Sequence, residues 1–201
     1  MEIIIHRVNT IHKLKRNDIK YGAEIDIRAF GSDLVLNHEP FLDSEKLINF
    51  LDEYNHGTLI LNIKEDGIED EVLKLVRERP KIKSYFLLDV EFPYLYGASR
   101  RGEKNIAIRF SEDESIETVK KYVGLVDWVW IDTNTHLPIT KDNIDILNQF
   151  NKCLVCPERW GRSDDILQYK NIMDNLNFKI DSVMTSFECS KIWINNKILD
   201  L

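Results

Sequence analysis

Short apolar runs rich in β-branched residues recur at 2–6, 23–28, 58–64, 84–89, 105–110, 127–133, 152–156 and 182–187, and each has the length of a strand. A further run at 33–37 follows the second closely and reads as a hairpin extension of it. Between these runs, the segments 44–54, 68–79, 115–123, 141–150 and 163–175 carry apolar residues three and four apart, the spacing of one helix face. Strands alternating with helices predict a parallel sheet with crossover connections. Eight such runs fit an α/β fold of the (β/α)8 TIM type, with a doubly wound open sheet as the structural alternative. The barrel usually takes about 250 residues, so a chain of 201 needs short or missing helices. No proline-rich or serine-rich linker interrupts the series, and the expectation is one domain over 1–201.

A barrel of this kind carries its chemistry at the carboxyl ends of its strands. Those ends are polar here. The first run closes on His6-Arg7, the second on Glu24-Ile25-Asp26-Ile27-Arg28, the hairpin on His38-Glu39, the third on Asn62-Ile63-Lys64, and the fourth on Asp89-Val90-Glu91. Side chains alternate along a strand, so Glu24, Asp26 and Arg28 share one face. If that face is buried, two carboxylates need a compensating charge, either Arg28 or a divalent cation; oxygen donors of this type suit Mg²⁺ or Ca²⁺. If it is solvated, the strand is simply amphipathic and both carboxylates are hydrated. His6 and His38 have the chemistry of a general acid and base near neutrality.

Composition narrows the choices. A formal net charge of -7 opposes broad binding to nucleic acid or to an anionic membrane surface. No apolar stretch is long enough for a membrane span, so no stable membrane insertion and a cytoplasmic location are expected. Cys153, Cys156 and Cys189 lack the density of a disulfide framework, and the CxxC spacing of the first two falls on a strand, where residues three apart face opposite ways. All three read as structural thiols. Trp128 and Trp130 share a strand face and read as packing.

Taken in order, Ile4-Ile5-His6-Arg7, Gly22-Ala23-Glu24-Ile25-Asp26-Ile27 and Leu34-Val35-Leu36-Asn37-His38-Glu39 resemble the opening of the glycerophosphodiester phosphodiesterase family. That family begins with a strand ending in HRG, continues with a strand carrying ExD, and follows with an apolar run ending in HD. Leu59-Ile60-Leu61-Asn62-Ile63-Lys64 looks like its LEIK strand, and Asp181-Ser182-Val183-Met184-Thr185-Ser186 is similar to its final strand. The stronger part of the resemblance covers about the first 40 residues. His6-Arg7-Val8-Asn9 is also similar to the HMVN of the sphingomyelinase D toxins, which share the superfamily with phosphatidylinositol-specific phospholipases C.

The resemblance implies a β/α barrel that hydrolyses small or headgroup phosphodiesters. It makes His6 and His38 the acid and base, and Glu24 and Asp26 ligands of Mg²⁺ or Ca²⁺. Lys64 would lie near the phosphate, with Arg7 and Arg28 also available to it. The family's third acidic ligand falls on Asn62, which the resemblance makes the third metal ligand: an amide can still coordinate through its carbonyl oxygen, but it brings no charge and should weaken cation binding. Glu91, Arg109 and Trp160 follow apolar runs and are candidates for substrate contact; Asp132, Glu158 and Arg159 have the same placement. Asn62 and the missing glycine of HRG leave two other readings open: a non-catalytic barrel that binds a phosphosugar or phospholipid headgroup, and a lyase that stops at a cyclic phosphate.

Overall fold

The computed structural model describes residues 1–195, which divide into two compact units, Ile4–Ile106 and Met1–Ile3 with the chain from Ala107 onward. Each is an α/β layer built from the runs expected above.

In the unit from Ile4 to Ile106, strand β1 (Glu2–Ile5) enters with its last residues and pairs in parallel with β2 (Gly22–Phe30), Ile5 lying opposite Ala23. β2 pairs in parallel with β4 (Leu59–Ile63), which pairs in parallel with β5 (Tyr85–Leu88). The hairpin strand β3 (Asp33–Leu36) folds back antiparallel along the outer half of β2. Ala23, Ile25 and Ile27 on one face of β2 are fully buried, and so are Glu24 and Asp26 on the other. Burial on both faces is what a parallel strand flanked by helices experiences, and it removes the alternative of a solvated amphipathic strand. The connecting helices are α1 (Ile11–Arg16), α2 (Leu47–Glu53), α3 (Glu69–Arg77) and α4 (Phe92–Arg100). α2 buries Leu47, Phe50 and Leu51, while α3 buries Val72, Leu73 and Val76, the stripe that the three-and-four spacing predicts.

The second unit carries β6 (Ala107–Phe110), β7 (Trp128–Ile131), β8 (Asn151–Val155) and β9 (Ser182–Thr185), paired in parallel in that order. The amide of Glu2 donates to the Asp181 carbonyl at the start of β9, at 2.7 Å. Here the helices are α5 (Ile116–Lys120), α6 (Ile144–Leu147), a 3₁₀ turn (Pro157–Trp160), α7 (Asp165–Asn175) and α8 (Phe187–Asn195). The segment expected as a helix over 141–150 keeps only the single turn of α6; Asn143 instead folds its side chain back, accepting from the Thr140 amide and donating to the Pro138 carbonyl. Such side-chain bonds compete with helix extension. Cys153, Cys156 and Cys189 are buried free thiols, and burial pushes the Cys153 thiol up to about 12. Trp128 and Trp130 are buried. Among the described residues, no helix is long and apolar enough to cross a membrane.

Candidate active site

The end of β1 is where the first site residues meet. Arg7 takes a left-handed backbone (φ 54°), a conformation that costs a non-glycine residue energy and is found where the surroundings enforce it. The turn it makes points two consecutive amides at one residue: Arg7 N donates to Glu24 Oε2 at 2.8 Å, and Val8 N donates to the Glu24 carbonyl at 2.8 Å. His6, immediately before the turn, holds its Nε2 at 3.8 Å from Glu24 Oε2. The other carboxylate oxygen, Oε1, accepts from Asn62 Nδ2 at 2.8 Å. Burial, and the negative charge of Asp26 beside it, push the Glu24 carboxyl up to about 7.

Asp26 lies opposite Asn62 in the β2–β4 register. Asn9 clamps it: Asn9 Nδ2 donates to Asp26 Oδ2 at 2.8 Å, and Asp26 N donates to Asn9 Oδ1 at 2.9 Å. Arg7 Nε stands 3.7 Å from Oδ2, and Lys64 Nζ stands 3.4 Å from Oδ1. The same ammonium is 3.4 Å from Asp89 Oδ2. Asp89, at the end of β5, is also left-handed (φ 57°), so two of the backbone's positive-φ positions border this one cluster. Asn9→Ala removes both bonds of the clamp and leaves a buried carboxylate short of a donor. It is expected to lower unfolding free energy by about 1–3 kcal/mol, read from urea unfolding.

Arg28 sits farther along the same face and ties two segments together. Its Nε donates to the His38 carbonyl at 3.0 Å, its Nη1 donates to the Lys64 carbonyl at 2.9 Å, and Nη1 lies 3.8 Å from Glu65 Oε2. The structure thus uses Arg28 to order the His38 loop against the end of β4. The His38 side chain is 41% exposed, with Nδ1 at 2.7 Å from Glu39 Oε1. Glu91 is exposed at the start of α4.

The donors present do not fit the divalent cation implied by the resemblance. The Asn62 amide turns its N–H toward Glu24, so Glu24 Oε1 is already occupied by a hydrogen bond and Asn62 brings no negative charge to a cation. Within this cluster, two buried oxygens have no hydrogen bond, Asp26 Oδ1 and Asn62 Oδ1. The first of these already faces the Lys64 ammonium, which would stand close to any ion held at the 2.0–2.6 Å typical of Mg²⁺ and Ca²⁺. Among the described residues, no three His, Cys, Asp or Glu side chains form a group that could hold a metal ion.

In the other unit, Arg109 and Trp160 meet on one buried carboxylate. Asp132 Oδ2 accepts from Arg109 Nη2 at 2.8 Å, and Oδ1 accepts from the Thr133 amide at 2.8 Å and from Trp160 Nε1 at 3.0 Å. Arg109 is further held by Glu114 at 2.8 Å. Trp160 is 49% exposed with its indole N–H fixed. Glu158 accepts from the Ser186 amide at 2.6 Å and from Thr185 Oγ1 at 3.2 Å. Asn9, given no role of its own by the sequence, joins the cluster by clamping Asp26; its signal was the short spacing from His6 to a side chain able to both donate and accept.

No family model matches the chain, and no curated protein matches it by sequence. Two solved structures from Agrobacterium tumefaciens strain C58 do resemble it. One, assigned as a glycerophosphoryl diester phosphodiesterase, has a TM-score of 0.67 at 9% identity, covering 97% of each chain. The other, a glycerophosphodiester phosphodiesterase, has a TM-score of 0.66 at 12% identity, covering 94% of this chain and 98% of its own. The family resemblance read from the strand ends is thus borne out at the level of architecture: the chain has the (β/α)8 TIM-type fold of these two structures.

Proposed function

We propose that this chain is a phosphodiester hydrolase acting on glycerophosphodiester-like substrates, with His6 and His38 as acid and base and Lys64 and Arg7 as the phosphate-holding cations. The observation that carries the reading is the cluster at the ends of β1, β2 and β4, where His6 adjoins a buried carboxylate and Lys64 and Arg7 flank another. Glu24 Oε2, 3.8 Å from His6 Nε2, is the group placed to orient the His6 ring.

In the first step, one imidazole accepts the proton of a substrate hydroxyl as its oxygen attacks phosphorus. The other, protonated at the outset, gives its proton to the leaving alkoxide as the old P–O bond breaks. Water then opens the cyclic phosphate with the two roles reversed. Lys64 and Arg7 stabilise the negative charge that accumulates on the phosphoryl oxygens. Arg28 acts indirectly, by ordering His38 against Lys64.

Asn62 favours a second reading, a barrel that holds a phosphate group without turning it over. Incubation of a glycerophosphodiester, which carries the neighbouring hydroxyl the first step needs, with the purified protein separates the two. Release of the alcohol and of a phosphomonoester is expected. Saturable binding of inorganic phosphate with no release from the diester would favour the binding protein.

A further inference from the structure

We propose that the Lys64 ammonium replaces a divalent cation in this site, so that phosphate is bound and processed without resident Mg²⁺ or Ca²⁺. The proposal deepens the function above and rests on it for the statement that the substrate phosphate meets Lys64.

Asp26 already has its counter-charges without a metal: Lys64 and Arg7 approach its two oxygens at 3.4 and 3.7 Å. Glu24 is satisfied by neutral donors on both oxygens, the Asn62 amide and the Arg7 backbone. Lys64 also spans to Asp89 at 3.4 Å, so its ammonium lies between two carboxylates. Two unit charges about 4 Å apart interact by roughly 4 kcal/mol at the effective dielectric of a partly buried site. A divalent ion placed on Asp26 would meet that repulsion from Lys64 and would gain no third carboxylate from Asn62.

The same logic makes Asn62 and Lys64 the two positions that exclude the ion. Asn62→Glu places a third carboxylate against Glu24, and Lys64→Met leaves Asp26 and Asp89 facing each other without their shared ammonium. Calorimetric titration of MgCl₂ and CaCl₂ into the chelator-stripped full chain tests this. Wild type should show no saturable uptake, whereas Asn62→Glu and Lys64→Met should each gain one saturable site, roughly tenfold or more tighter than any residual uptake by wild type. Lys64→Arg retains the charge and should refuse the ion as wild type does. Lys64→Met covers the case in which Asn62→Glu fails to fold. In a parallel titration of inorganic phosphate with EDTA present, wild type should bind as well as it does with Mg²⁺, and Lys64→Met should bind at least about tenfold more weakly. One tightly bound ion in wild type, or phosphate binding that disappears in EDTA, overturns the proposal. The two claims fail separately: hydrolysis that requires added Mg²⁺ sinks the metal-free site and keeps the phosphodiesterase, while cation refusal with no hydrolysis does the reverse.

Discussion

His6→Ala is expected to slow phosphodiester hydrolysis by roughly 10²–10⁴-fold, the usual contribution of a positioned general acid or base. The loss should fall mainly on kcat, because Lys64 and Arg7 continue to hold the phosphate while the proton has no acceptor. Glu24 keeps its bonds to Asn62 and to the Arg7 amide, so its buried carboxyl is not orphaned and the fold should survive. Steady-state kinetics together with a melting curve check both halves. Unchanged kcat in a folded variant would remove His6 from the chemistry.

The second large effect concerns stability against pH. Glu24 has its carboxyl pushed up from an ordinary 4.5 to about 7, first by burial and then by Asp26. A carboxyl raised on folding favours the folded state most when it is protonated. Its contribution is fully present below about pH 4.5 and is lost as pH rises through about 7. A shift of this size corresponds to roughly 3 kcal/mol. Wild type should therefore lose about that much unfolding free energy between about pH 4.5 and about pH 7 relative to Glu24→Gln, which has no proton to lose at that position. Urea unfolding of both proteins across this range gives the difference directly. Parallel stability curves would mean that Glu24 titrates normally and that the polar pocket around it is wetter than its 1% exposure implies.

The strands were legible in the sequence because burial on both faces makes each one a short continuous apolar run. All eight expected runs and the hairpin at 33–37 correspond to strands β1 to β9. Helices were less legible where packing asks little of them. α1 buries only Leu14, and α4 leaves Phe92 and Tyr96 exposed, so neither has the stripe that signals a helix. In the site, Glu24, Asp26, Asn62 and Lys64 could be grouped because strand parity fixes which side chains share a face and the strand ends align. Asp89 was visible as a strand-end acid able to replace the charge missing at Asn62, but its contact with Lys64, like the clamp of Asn9 on Asp26, could not be read that way. Both depend on turns containing left-handed residues, Arg7 and Asp89 itself, which redirect the chain independently of strand parity. The donor orientation of Asn62 was equally hidden, since an amide can face its neighbour with either end and only the acceptor Glu24 decides. Asp132 was visible as a strand-end acid, while its gathering of Arg109 and Trp160 required the packing of three separate segments.

Phosphorus NMR of a glycerophosphodiester incubated with the purified chain in EDTA, beside His38→Ala under the same conditions, tests the central claim most directly. A phosphomonoester resonance that grows at the expense of the diester in wild type, and is suppressed in the variant, is the predicted result. A diester left intact by wild type, or consumed equally fast by His38→Ala, would contradict it.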